Sequence, residues 1–176
     1  MAIRNVVIYP DEILRKPNSD VTVFDDNLKQ LCADMFDTMY ENEGIGLAAP
    51  QIGVNKKIVV IDIPGDDDVQ GKNQLILINP KILKREGELV ESQEGCLSVP
   101  GYQDTVMRYP KVSVSYQDLE GKAQEMLDVE GLLAICLQHE TDHLDGVVFV
   151  DKLSRLKQSR LQKKYSKILK DLHKGN

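Results

Sequence analysis

Glu130-Gly-Leu-Leu-Ala-Ile-Cys-Leu-Gln-His-Glu-Thr-Asp-His-Leu-Asp-Gly146 is the stretch on which the reading of this chain turns. Its apolar spacing predicts a helix over about 130–145 that stops at Gly146. His139 and His143 are four residues apart. On a helix they leave one face, about 6 Å apart along the axis, so both imidazoles can reach one metal ion. Glu140 sits beside the first of them, where its carboxylate can touch a metal-bound water without ligating. That is the His-Glu-x-x-His arrangement, with the Glu as general base. The alternative is a solvated polar turn. Against it, Leu132, Ile135 and Cys136 precede the histidines on the same face and predict that the face is buried, where imidazoles and a carboxylate need partners.

Outward from this helix the pattern changes. Residues 25–43 predict an N-terminal amphipathic helix, with Leu28, Leu31, Cys32, Met35, Phe36, Met39 and Tyr40 on one stripe, Asp25 or Asp26 as cap and Gly44 as stop. Strands are expected at Lys57–Asp62, Leu75–Asn79 and Ile82–Val90. A hairpin is expected from Val112, Val114 and Tyr116 through the turn at 118–121 into Ala123–Leu127. Gly65–Gly71 is acidic but lacks EF-hand spacing and reads as a solvated loop. A last helix is expected from Ser154 to about Leu172. Strands in the middle with helices at both ends predict an α+β fold. The expectation is antiparallel or mixed sheets around the central metal-binding helix, in one domain over 1–176.

Composition narrows the function classes. The chain has 176 residues, 41% hydrophobic and 28% charged, as expected of a soluble globular protein. It has no Trp and few aromatics, which argues against base stacking on nucleic acid. No apolar run approaches a membrane span and no signal-peptide core is visible, so neither a membrane nor DNA is expected as a partner. Three scattered cysteines point to a reducing compartment, and the expected location is cytoplasmic.

A catalytic zinc-type site needs a third protein ligand and an open fourth position. His173 lies in the basic tail, so cysteine is the natural source. Cys32 sits on a core stripe. Cys136 is about 10 Å along the helix axis from His143 and would converge poorly. Cys96, in Glu94-Gly-Cys-Leu-Ser98, is favoured by elimination. A Cys-His-His set makes Fe(II) plausible alongside Zn, Ni or Co. Arg108 and Asp142 are candidate groups for orienting ligands, although Asp142 also fits an ordinary surface charge.

Three segments, in order, now carry a resemblance that covers essentially the whole chain: Gly44-Ile-Gly-Leu-Ala-Ala-Pro-Gln51, Glu94-Gly-Cys-Leu-Ser98 and Gln138-His-Glu-Thr-Asp-His143. Together they resemble the peptide deformylases. The resemblance implies removal of the formyl group from the N-terminal formyl-methionine of new polypeptides, with release of formate. It implies Cys96, His139 and His143 as ligands of one divalent ion, Fe(II) first, with a metal-bound hydroxide attacking the formyl carbonyl. Glu140 would be the general acid/base, and the Gln51 amide and Leu97 N–H the oxyanion donors. Gly44, Ile45, Gly46 and Gly95 would grip an extended peptide as an added strand, and Leu132, Ile135 and Cys136 would form the methionine pocket. Some relatives carry an Arg shortly after the Cys motif that helps hold the peptide backbone; the nearby residue here is Gln103.

Two other functions compete on sequence alone. A His-Glu-x-x-His metallopeptidase shares the metal and base logic, but Cys96 as third ligand counts against it. A non-catalytic peptide-binding module would need a closed site with four ligands, and only three good candidates are visible.

The charge of −6 is unevenly spread. Residues 1–151 carry 13 Lys+Arg and 27 Asp+Glu; residues 152–176 carry nine Lys+Arg and one acid, for a net +8. The resemblance implies that this basic C-terminal helix docks on the ribosome, with an ordinary solvated helix as the alternative. Removing 152–176 would leave every proposed ligand and base in place, so truncation is expected to spare activity on short peptides.

Overall fold

The computed structural model describes residues 2–175, so the first and last positions of the expected 1–176 unit lie outside the described residues. Strand β1 (Gly46–Ala48) pairs with β2 (Ile58–Asp62), β2 with β3 (Gln74–Glu86), β3 with β6 (Lys111–Gln117), and β6 with β7 (Ala123–Glu130). All these pairs are antiparallel, giving a five-stranded sheet of order β1-β2-β3-β6-β7. A separate antiparallel pair joins β4 (Val90–Cys96) to β5 (Val99–Arg108). With helices α1 (Asp26–Glu41), α2 (Gly131–Leu144) and α3 (Arg155–Lys174), the fold is α+β.

β2 explains how the layers assemble. Every residue of Ile58-Val-Val-Ile-Asp62 is buried. Successive side chains of a strand point to opposite faces. Ile58 and Val60 join a cluster with Leu28, Cys32, Met35 and Phe36 of α1. Val59 and Ile61 join a second cluster with Ala134, Cys136 and Leu137 of α2. The sheet is thus packed between the two helices, and α2 is held by apolar contacts. Truncating fully buried Leu137 to alanine removes packing worth about 2–5 kcal/mol. A third cluster of Tyr9, Val99, Val106, Phe149, Leu161 and Tyr165 ties β5 to α3.

Several expectations shift. The separate strands expected at Leu75–Asn79 and Ile82–Val90 are one long β3 as far as Glu86, because the chain runs on between them through a register shift between Ile78 and Lys81, with Asn79 at φ 51°. The run then turns at 87–89, and Val90 begins β4. The β4–β5 hairpin was not visible in the sequence. Helix α1 ends at Glu41, and the left-handed residue that turns the chain is Glu43 (φ 56°), one before the glycine expected to do so. Gly44 instead answers a close approach: a Cβ there would lie 2.8 Å from Leu97 Cδ1.

Candidate metal centre and cleft

α2 presents His139, Glu140 and His143, all buried, toward a cleft of about 750 Å³. One side of the cleft is β1 and the turn before it, including Gly44, Ile45 and Gly46; the other is Gly95–Leu97 and Val99–Gln103. Leu132, Ile135 and Cys136 of α2 and Gln51 also line it. Of the residues expected at the site, His143 alone lies outside the lining, nearly fully buried behind it. One inference needs correction. Leu132 is 52% exposed, and only Cys136 of the three apolar residues is buried. Leu132 falls in the first turn of α2, where the helix emerges at the cleft mouth, so the histidine face is buried from Cys136 onward.

Cys96 Sγ, one nitrogen of His139 and one of His143 lie within 4.8 Å of one another. Cys96 Sγ is 3.4 Å from His143 Nε2. Ligands on a tetrahedral ion with bonds of about 2.0–2.3 Å stand roughly 3.3–3.8 Å apart, so the set fits a metal ion. A thiol–imidazole hydrogen bond would account for one of these pairs but not for the convergence of the third atom. Three ligands are the count of a catalytic site, which keeps a position open.

Behind the ligands lies a charged network. His139 Nδ1 donates to Glu94 Oε1 at 2.8 Å. The Arg108 guanidinium donates to both Glu94 oxygens, from Nε and Nη2, at 2.8 Å each, and to Asp142 Oδ2 at 2.7 Å. Burial works against the Glu94 carboxylate, but Arg108 and His139 outweigh it and hold its pKa down to about 2. Burial also opposes charge on His139, yet its bonds to Cys96 and Glu94 raise its pKa well above the usual value. For His143 burial dominates and the pKa falls well below the usual value. The pattern leaves His139 Nε2 facing the other ligands and fixes its ring by the carboxylate behind it. The sequence offered Arg108 and Asp142 as orienting groups but gave Glu94 no role. Its signal was there: Glu94 is two residues before Cys96, on the same face of one strand. Phe149, stacked on His139 at 6.1 Å, left no comparable signal.

Among the described residues two buried side-chain atoms have no hydrogen-bond partner, His143 Nδ1 and Glu140 Oε2. Burial pushes the pKa of the Glu140 carboxyl up to about 7. Gly46 makes room for it: a Cβ on Gly46 would stand 2.8 Å from Glu140 Oε1. Gln51 sits in a short 3-10 turn after β1. Its Oε1 accepts from the Ala48 N–H at 2.9 Å, which fixes the amide so that its Nε2 donates to Cys96 Sγ (3.3 Å) and Ser98 Oγ (3.2 Å). Leu97 follows Cys96 at the tip of the β4–β5 hairpin.

Known proteins share this architecture. The family model described as Polypeptide deformylase matches residues 3–159. A peptide deformylase of Chromobacterium violaceum is 50% identical over 167 residues, covering 95% of this chain and 96% of the relative. Among solved structures, a peptide deformylase from Legionella pneumophila aligns with a TM-score of 0.87 at 49% identity over 98% of each chain. One from Synechococcus elongatus, in complex with actinonin, aligns at 0.85 and 44% identity, covering 93% of this chain and 88% of the other.

Proposed function

This chain belongs to the polypeptide deformylase family, and from that premise we propose how its cleft hydrolyses the N-formyl amide of nascent formyl-methionyl chains. Cys96, His139 and His143 hold one divalent ion, Fe(II) first, with Zn, Ni or Co able to substitute. When bound, the ion supplies Lewis acidity, lowering the pKa of a coordinated water and polarising a carbonyl oxygen. The observation that carries the reading is geometric: Glu140 is a buried carboxylate with an unpartnered oxygen beside three convergent ligand atoms, and burial raises its pKa. Such a group takes the proton of the attacking water and returns it to the leaving amine. Gln51 Nε2 gives up its long contact to Cys96 and, with the Leu97 N–H, donates to the formyl oxygen as negative charge builds there.

Two sheet edges support the binding mode. β1 is an edge of the five-stranded sheet and β4 pairs only with β5, so both can accept an extended peptide at Ile45–Gly46 and Gly95. Leu132, Ile135 and Cys136 receive the methionine side chain, with Leu132 closing over it from the mouth. The whole chain acts as one catalytic unit. The exposed lysines of α3, such as Lys163, Lys167 and Lys170, favour a salt-sensitive contact with ribosomal RNA, which charge reversal at these positions would abolish in a co-sedimentation assay. The test of the catalytic assignment is Glu140→Gln. Metal content stays at the wild-type level while kcat for formate release falls by about 100-fold or more. Full turnover in that variant removes Glu140 from its role.

A further inference from the structure

Helix α3 has two unlike faces. The outer one is basic. The inner one carries Leu161, Tyr165 and Ile168 at helical spacing; Tyr165 touches the wall of the cleft, and the half-exposed Lys157, one turn before Leu161, meets Asp104 just beyond that wall. Tyr165 is fully buried, with Tyr9 edge-on to its ring, and its hydroxyl donates to the Pro100 carbonyl at 2.6 Å. Lys157 Nζ lies 2.9 Å from Asp104 Oδ2 and 3.2 Å from Oδ1. The same Asp104 accepts from the Tyr102 hydroxyl.

The stretch between these anchors is the part of the wall that its own hairpin does not hold. In the β4–β5 ladder Gly95 pairs with Gln103 and Cys96 with Val99, so the register passes over Pro100, Gly101 and Tyr102. All three line the cleft. They have no rung on β4, and α3 reaches this stretch at its two ends: directly at Pro100 through Tyr165, and indirectly at Tyr102 through Asp104, which Lys157 meets. From there the Tyr102 ring stacks on Phe149 at 6.3 Å, and Phe149 on the ligand His139.

We propose that α3 braces the Pro100–Gln103 wall of the peptide cleft, and that Lys157 and Tyr165 are positioning residues for the part of the substrate beyond its first residue. The inference rests on the deformylase reading for the identity of the substrate, and on the contacts of α3 for the brace itself. It sets a limit on the expectation that removing the basic helix spares activity on short peptides, confining it to the shortest substrates.

The test is the double variant Lys157→Ala/Tyr165→Phe, metal-loaded, assayed on formyl-Met amide and on a formyl-Met tripeptide. Backbone amide exchange over 100–103 is followed in parallel. KM for the tripeptide rises about fivefold, as expected when neutral and ionic contacts of modest net worth are lost. Meanwhile kcat, metal content and KM for the single-residue amide stay level, and exchange at Gly101 and Tyr102 quickens. Unchanged tripeptide KM with unchanged exchange overturns the brace. An equal rise for both substrates overturns it too, since that is general loosening. If the double variant does not fold, each single variant is read in the same way. A wild-type protein that releases no formate sinks the deformylase reading, and the exchange measurement still decides the brace.

Discussion

Replacing Arg108 by alanine strikes the group that holds the metal centre from behind. Arg108 is 3% exposed and makes three charge-assisted bonds, two to Glu94 and one to Asp142. Its removal leaves Glu94 buried with His139 as its remaining charged partner. Breaking a buried pair from one side typically costs about 3–5 kcal/mol, because the surviving charge is uncompensated. The same change frees His139 to tilt, and loss of such a partner weakens metal binding by about 10–100-fold. Lysine does not restore the site, since it lacks the fork that meets both Glu94 oxygens. The pH dependence follows with a definite sign. Glu94 has a depressed folded pKa, so its contribution is full above its unfolded value and is lost as pH falls from about 4.5 through about 2. That drop corresponds to about 3 kcal/mol in the metal-free protein. Urea melts of metal-free wild type and variant between pH 2 and 7, with metal titrations at neutral pH, read all three effects. A loss under about 1 kcal/mol, with metal affinity within twofold and the acid slope intact, refutes the network as the support of His139.

Two further outcomes test the cleft. Gly46→Ala places a methyl 2.8 Å from Glu140 Oε1, and kcat is expected to fall by about tenfold or more with metal content preserved; stopped assays and metal analysis check it, and an unchanged kcat refutes the close fit. Cys96→Ser replaces a soft thiolate with a hard hydroxyl, and affinity for Fe(II) and Zn(II) is expected to drop by about tenfold or more; unchanged metal binding removes Cys96 from the ligand set.

The helices were legible because their signals are periodic and local. Leu28 to Met39 sits on one stripe, Asp25 caps it by accepting from the Leu28 N–H, and the two histidines stand one turn apart on α2. β2 was legible as a continuous apolar run. The β4–β5 hairpin was not, because Val90-Glu-Ser-Gln-Glu-Gly-Cys96 is mostly polar: its buried face carries a charged residue, Glu94, in place of an apolar one. The pairing that makes burial of Glu94 tolerable comes from Arg108, fourteen residues away, and from His139, forty-five away. No local pattern carries that pairing. The gap left between the strands expected at 75–79 and 82–90 is crossed by a register shift that keeps β3 continuous, which no local pattern announces. At the site, residue type and elimination favoured Cys96 beside the two histidines, and the structure brings one atom of each within 4.8 Å of the others. The exposure of Leu132 was not legible, because periodicity tells which face a residue occupies and not where the neighbouring elements stop.

Recognition and hydrolysis of a formyl group in this cleft can be read from the products of three substrates. Anaerobically prepared, Fe(II)-loaded protein should be given a formyl-Met peptide, its acetyl-Met counterpart and a longer peptide with a free N-terminus, and the products quantified. Formate is expected from the first at a rate at least about 100-fold above acetate from the second, with no internal cleavage of the third. Comparable release of acetate, or cleavage within the free peptide, would contradict it.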